Sequence, residues 1–154
     1  MYSDWYLAFP GELEDLVFAS AEELETSWRS VALEDVLEVE LMALGRVLLG
    51  EDYAYKSELL HPEGARIDDT FSDDITSQPA EAGVYALRIA DDLVAALARI
   101  SDAELPGIAG AWRARAKQLR AKSAGEVEAT LGEMRRFSRD AARLGKMVVN
   151  LFEV

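Results

Sequence analysis

The side chains that could carry acid–base chemistry begin with the single histidine of this sequence, His61, which is followed by Pro62. Any imidazole base would have to be this one residue. A chain with one histidine and no cysteine cannot build the nitrogen and sulfur ligand sets of zinc sites. The sequence also lacks the motifs G-x-S-x-G, S-x-x-K, H-E-x-x-H and G-x-G-x-x-G. A turn histidine without catalytic work is therefore the simpler interpretation of His61.

Carboxylates are abundant, and two groups of them could in principle bind a hard cation. The stretch DDTFSDD begins with Asp68 and Asp69, but it lacks the alternating acids and central glycine of a helix-loop-helix calcium site. Glu34 and Glu38 are spaced one helical turn apart, as in di-iron bundles, but the Glu-x-x-His pairs of such bundles are missing. We therefore predict no metal site and no cofactor, and a solvated acidic loop at 68–74.

Three aromatic residues stand among acids and outside the clear apolar stripes: Trp28, Tyr53 and Tyr55. Exposed tryptophan and tyrosine surrounded by charge are typical of binding hot spots. The sequence therefore predicts that these three side chains belong to an interface.

Charge is divided unevenly along the chain, whose net charge is −13. Residues 1–81 hold 20 acidic and 4 basic residues, whereas residues 82–154 hold 9 acidic and 12 basic ones. An excess of acids repels nucleic acid and anionic membranes, so neither is an expected partner. The stretch AWRARAKQLRAK (111–122) carries five positive charges, and Arg113, Lys117 and Arg120 share one stripe of a predicted helix. We predict that this basic face offsets the acidic helices inside the fold.

Helical periodicity dominates the chain. Apolar residues recur at three- and four-residue steps from Leu13 to Leu24, from Leu33 to Leu48, from Leu93 to Ile100 and from Val127 to Leu144. Glycines at 50 and 145 end the second and fourth segments. Three S-x-x-E capping boxes predict helix starts: Ser20 with Glu23, Ser101 with Glu104, and Ser123 with Glu126.

Three short segments fit β-strands better, because aromatic and branched residues follow one another with a period near two. They are WYLAF (5–9), VYALRI (84–89) and MVVNLFEV (147–154), and the last is apolar at almost every position, as in a strand buried on both faces. The predicted fold class is α+β and predominantly α-helical: a helical body around a small sheet that joins the N- and C-terminal strands with a middle strand. We predict one domain over 1–154, with a long irregular acidic loop at 50–83.

The absence of cysteine fits a reducing compartment, so we expect a cytoplasmic protein. No apolar run approaches the roughly 18 residues that a membrane span requires. The start of the chain carries an acid where a secretion signal would carry positive charge, so no export signal is expected.

The order of these elements resembles the YfbM-like family of bacterial proteins of unknown function. The resemblance rests on a short aromatic strand near the start, a helix ending in RVLLGE, the phrase VYALRIADDLVAALARISDAEL, and a final helix running into AARLGKMVVNLFEV. It implies a small bacterial cytosolic α+β domain, and it implies no catalytic residues.

Two functional hypotheses follow from the sequence. The first is a non-catalytic protein-binding module, similar to an inhibitor or immunity protein, whose acidic first half attracts a basic protein; Glu34 and Glu38 would contribute. The second is a small-ligand-binding protein or enzyme that uses the 50–83 loop as a lid. Its pocket would be lined by Tyr53, Tyr55, His61, Asp68 and Asp69. The first is favoured on the acidic charge of the first half, and it rests on charge and not on a motif.

Overall fold

A five-stranded antiparallel sheet lies at the centre of the fold in the computed structural model, which describes residues 2–60 and 84–153. Its strands follow the spatial order β2-β1-β5-β4-β3. They are β1 (Tyr2–Ala8), β2 (Ser30–Glu34), β3 (Glu58–Leu60), β4 (Val84–Arg88) and β5 (Met147–Glu153). The predicted sheet of N-terminal, middle and C-terminal strands is therefore confirmed, with β2 and β3 added at its two edges.

Six helices surround the sheet within the described residues. They are α1 (Leu13–Phe18), α2 (Ala21–Ser27), α3 (Glu38–Leu49), α4 (Asp91–Ala98), α5 (Leu105–Arg115) and α6 (Ala124–Leu144). Short 3-10 turns precede α1 at Pro10–Glu12 and follow α5 at Lys117–Ala121. The fold class is α+β and mostly helical, as predicted. In the described part of the chain, no helix has the length and apolar character that a bilayer crossing requires.

The C-terminal strand β5 is the middle of the sheet, between β1 and β4. Tyr6 of β1 lies opposite Val149, and Leu87 of β4 lies opposite Asn150. Val148 and Val149 point to opposite faces, and both are buried. The prediction that β5 is covered on both faces is thus confirmed for its first half, whereas Asn150 and Leu151 are half-buried.

Each face of the sheet has its own apolar core. On one face, Trp5 and Leu7 of β1 pack with α3, α4, α5 and α6. The indole N–H of the buried Trp112 on α5 donates a hydrogen bond of 2.8 Å to the carbonyl of Glu40, which joins α5 to α3. On the other face, Tyr6 and Ala8 pack with side chains of α1. The long helices thus cover one face, while two short helices, α1 and α2, cover part of the other.

The helix predicted from Leu33 to Leu48 is wrong in its first part. Residues Ser30–Glu34 form the edge strand β2, Asp35 has a positive φ of 58°, and the helix begins only at Glu38. A left-handed residue cannot continue a right-handed helix, so the chain turns at Asp35. The apolar spacing misled the prediction because Leu33 and Val36 are buried in both arrangements.

Two of the three serine boxes cap helices as predicted. Ser20 and Ser123 each accept the N–H of the glutamate three residues later, at 3.2 and 3.1 Å. Ser101 forms the same box with Glu104, but a turn intervenes and α5 starts at Leu105. The segment from Leu13 to Leu24 is also two helices, because the chain is extended at Ala19 between them.

Candidate functional site

The basic stretch 111–122 is bound to acidic residues of the same chain. Arg115 makes a bidentate ion pair with Glu51, and one of the two N–H···O contacts measures 2.8 Å. The Arg115 guanidinium holds the pKa of the Glu51 carboxyl below its ordinary value. The ammonium of Lys122 lies 3.0 Å from Glu34, and this hydrogen bond raises the pKa of Lys122. Arg115 and Lys122 thus do offset acids of the same chain, but these acids follow α3 and lie on β2, not on the predicted acidic helices. Arg113 of the predicted stripe donates to backbone carbonyls instead.

The two glutamates predicted to bind a partner do not share a helix. Glu34 ends the strand β2 and is bound to Lys122, whereas Glu38 is the first residue of α3 and is exposed. They were expected one helical turn apart, and the left-handed turn at Asp35 separates them. Because Lys122 already compensates the charge of Glu34, this acid contributes little to the attraction of an outside cation.

Of the three aromatic residues predicted to be exposed, Tyr55 is the clear error. Its side chain is only 4% exposed and belongs to the core of the helical face. Burial, with the charges of Glu38 and Asp92, raises the pKa of the Tyr55 hydroxyl to about 12. A side chain buried in this way packs the fold and does not present a hot spot to a partner.

Tyr53 and Trp28 are both half-buried. The Tyr53 hydroxyl donates a hydrogen bond of 2.8 Å to Asp92, and burial together with this bond raises its pKa. Trp28 directly follows the last residue of α2 and packs against the smaller core. Each therefore has a structural role, and only part of each ring remains available to a partner.

The remaining predicted site residues, His61, Asp68 and Asp69, lie outside the described residues. The hypothesis of a pocket closed by the 50–83 loop depends largely on them, and it stays a prediction. In residues 2–60 and 84–153, no group of three or more potential metal ligands comes together.

A group of exposed acids that the sequence did not single out lies on α1 and α2, with one further member on β1. Residues 1–28 contain seven acidic residues and no lysine or arginine. Two of the seven, Glu12 and Glu23, accept backbone N–H groups at helix starts. The other five are exposed, and we call them, with Phe18, the acidic surface: Asp4, Glu14, Asp15, Glu22 and Glu25.

The described chain supplies no cation to the acids of this surface. Its ion pairs involve other carboxylates, such as Glu34 and Glu51. Burial raises the pKa of Tyr6, and the charges of Asp4 and Glu25 raise it further, which shows that β1 and α2 bring these two acids near the same phenol. The acidic surface therefore concentrates negative charge that no cation of the described residues compensates.

A large apolar side chain lies within the acidic surface. Phe18, the last residue of α1, is 64% exposed. Glu14 and Asp15 precede it by four and three residues, so their side chains are its neighbours on the helix. The sequence did contain a signal, since Phe18 falls outside the apolar stripe of Leu13, Leu16 and Val17. An exposed ring bordered by acids can bind the apolar stem and the charge of a basic side chain together.

No protein family matches the chain, and comparisons with curated proteins and with solved structures also found no match. The resemblance to the YfbM-like family therefore stays a prediction, and the functional argument depends on the surfaces of this chain alone.

Proposed function

We propose that this protein is a non-catalytic binding module, cytosolic and similar in its use to an inhibitor or immunity protein, that binds a basic protein through the acidic surface on α1 and α2. One observation carries the proposal: the acids of this surface have no cationic partner in the described chain, whereas Glu34 and Glu51 are bound by Lys122 and Arg115. Charge left without a partner is available to steer and orient an oppositely charged protein.

The exposed Phe18 adds a component that is not electrostatic. Clustered charge alone gives fast association that salt weakens, but it gives little lasting affinity. An exposed aromatic ring beside Glu14 and Asp15 can be desolvated by an apolar residue of the partner, which lengthens the lifetime of the complex. The partner we propose therefore presents lysine or arginine around an apolar side chain.

The proposal is tested with two triple variants that make the same change in charge at different places. The surface variant carries Glu14→Lys, Asp15→Lys and Glu22→Lys, and the control variant carries Asp52→Lys, Glu128→Lys and Glu133→Lys. Each immobilised protein is exposed to lysate of the source organism at about 0.1 M and about 1 M salt, where the Debye length is roughly 10 and 3 Å. We expect the wild-type protein and the control variant to retain one basic protein at low salt, and the surface variant to lose it.

Phe18→Ser separates the two components of the interface. This variant keeps every charge of the acidic surface, so the partner should still associate at a similar rate but should dissociate faster. If the surface variant retained the partner as well as the control variant does, the acidic surface would not be the binding site and the proposal would be wrong.

A further inference from the structure

The outward side of the long helix α6 carries an open groove. This cavity of about 580 Å³ extends along the helix from Gly125 to Arg139, and Leu105 at the start of α5 forms part of its wall. At 1.5 Å per residue, the groove is about 21 Å long. The buried stripe of α6 lies on the opposite side of the helix, so the groove is separate from the core of the fold.

The floor of this groove consists of small residues. Gly125, Ala129 and Gly132 follow one another at steps of four and three residues, so they share one stripe of α6. A Cβ at Gly125 would meet no atom of another described element within 4 Å, and a Cβ at Gly132 would lie 3.9 Å from Leu105. The described fold therefore does not require glycine at either position. Glycine inside a helix lowers its stability, but it lets another backbone come close.

One acid and one base without an ion pair lie at equal distances from Gly132. Glu128 precedes Gly132 by four residues and Arg136 follows it by four, and both side chains line the groove. Neither forms an ion pair with another described residue. These two charges are therefore available to groups outside the chain, and they stand one helical turn to either side of the same central residue.

The other charged side chains beside the groove leave this pattern in place. Arg135 is bound to Asp102, and Arg139 donates to backbone carbonyls of the connection between α4 and α5. Glu133 precedes Arg136 by three residues without forming an ion pair with it, and Glu133 also lines the smaller hollow beside β2. The line from Glu128 through Gly132 to Arg136 thus runs from an acid to a base.

We propose that the groove of α6 binds α6 of a second copy of this chain, antiparallel, with Gly132 of both copies where the helices cross. This register places Glu128 opposite Arg136 of the second copy and Arg136 opposite Glu128 of the second copy. Two equivalent ion pairs form, as two-fold symmetry requires, whereas a parallel arrangement would bring like charges together. The small residues between them allow the two backbones to approach, and the two helix dipoles run in opposite directions.

The charge of α6 also suits a second copy, although the chain as a whole is acidic. The helix has no net charge, because its four acids are balanced by four arginines: Glu126, Glu128, Glu133 and Asp140 against Arg135, Arg136, Arg139 and Arg143. It packs on one face of the sheet, while α1 and α2 lie on the other. The acidic surface therefore stays free in both copies, and the inference does not depend on the proposed function.

The test is the mass of the protein in solution as a function of concentration. Sedimentation velocity is measured from about 1 µM to about 1 mM chain, a range that brackets weak dimers. About 0.15 M salt is used, because the Debye length of about 8 Å then screens the long-range repulsion between two acidic chains. We expect single chains of 17.0 kDa at the lowest concentration and a mass that rises toward twice this value at the highest.

Charge reversal tests the register. Arg136→Glu places a glutamate opposite Glu128 of the second copy at two symmetric places, and Glu128→Arg places an arginine opposite Arg136 in the same way. Because like charges in contact across an interface oppose binding, each variant should raise the dimer dissociation constant at least about tenfold. Lys56→Glu is the matched control for Arg136→Glu, since it makes the same charge change at an exposed residue before β3 and should leave the constant unchanged.

The double variant that carries Glu128→Arg and Arg136→Glu has the net charge of the wild-type protein. It should dimerise again, because both ion pairs re-form with their signs exchanged. An equimolar mixture of the two single variants should also form a mixed dimer, since one copy then supplies two arginines and the other two glutamates.

Circular dichroism establishes that each variant is folded, and if one single variant is not, the other single variant and the double variant decide. A wild-type protein that stays at the mass of one chain up to about 1 mM overturns the proposal. A dimer that resists charge reversal, or a folded double variant that stays a single chain, overturns it as well. The same holds for a single chain that binds a helix of another protein in this groove.

Discussion

At the scale of single residues, Tyr53 and Tyr55 show how two side chains with the composition of a binding site serve the fold. Tyr55 lies in the core and Tyr53 is bound to Asp92, and burial is the main cause of the raised pKa of both phenols. A phenol with a pKa above its ordinary value is a poor base at neutral pH. Their environment therefore favours packing over catalysis.

Tyr55 makes the stability of the protein depend on alkaline pH. Its pKa is raised from 10.0 to about 12 in the folded state, so the folded state favours the neutral phenol. This stabilisation is fully present below pH 10 and is lost as the pH rises through 12. We expect the free energy of unfolding to fall by about 1.4 kcal/mol more between pH 9 and 11 in the wild-type protein than in Tyr55→Phe.

Urea denaturation at the two pH values measures this difference. Tyr2→Phe is the control, because Tyr2 is 66% exposed and the substitution should leave the pH dependence as in the wild-type protein. An equal pH dependence in Tyr55→Phe and Tyr2→Phe would show that the Tyr55 hydroxyl is not held neutral by the fold.

At the scale of elements, the end of α3 is fixed by the segment that follows it. The chain leaves the helix at Gly50, whose φ is 114°, and the Tyr53 ring returns to lie against Gly45. Arg46 donates to the carbonyl of Tyr53 at 3.3 Å. The Tyr53 hydroxyl reaches Asp92 on α4, so this return also joins α3 to α4.

Gly45→Ala should disrupt this arrangement, because a Cβ at Gly45 would overlap the Tyr53 ring. The ring has to move and its hydrogen bond to Asp92 is strained or lost, so we expect destabilisation of about 1–3 kcal/mol. Gly132→Ala is the matched control in the interior of α6, where the nearest atom, of Leu105, would lie 3.9 Å from the new Cβ. That substitution should stabilise by roughly 0.5–1 kcal/mol, since alanine is the better helix former.

Urea denaturation of both variants measures the change in the free energy of unfolding, which should be a loss for Gly45→Ala and a gain for Gly132→Ala. If Gly45→Ala were as stable as Gly132→Ala, the position of the Tyr53 ring would not require a glycine at position 45.

The elements that the sequence predicted well are those with a local physical cause. Ser20 and Ser123 cap their helices through bonds between residues three apart, and β5 is recognisable because nearly all its side chains are apolar. Strand β2 was not predicted because it is stabilised by pairing with residues distant in the sequence, Tyr2 to Tyr6. Its apolar residues also fit a helical spacing.

The candidate site was less predictable, because exposure depends on what packs nearby. Tyr55 stands among acids in the sequence and is nonetheless covered by the core. Glu34 has the same charge as Glu14, but Lys122, 88 residues from Glu34 in the chain, lies beside Glu34 and compensates it. Charge counts could identify the acidic first half of the chain, but they could not identify which of its acids have no cation beside them in residues 2–60 and 84–153.

At the scale of the whole molecule, the fold uses the opposite charges of the two halves only in part. Lys122 and Arg115 of the second half bind acids of the first half. The acidic surface on α1 and α2 stays without such pairs in the described chain. A net charge of −13 that includes such a cluster destabilises the folded state through self-repulsion.

Salt should therefore stabilise the protein. Raising salt from about 0.01 to 0.15 M shortens the Debye length from roughly 30 to 8 Å, which screens the repulsion within the acidic surface. We expect the melting temperature to rise by about 2–4 °C, which corresponds to roughly 1 kcal/mol for a chain of this size.

The surface variant and the control variant distinguish the effect of clustered charge from the effect of net charge. Each replaces three acids by lysine, so the net charge changes equally and only the place of the change differs. If the repulsion is local to α1 and α2, the surface variant should melt higher at low salt and lose most of its salt dependence, while the control variant keeps most of it. An equal response of both variants would instead assign the effect to net charge alone. The acidic surface would then store no excess repulsion for a basic partner to relieve.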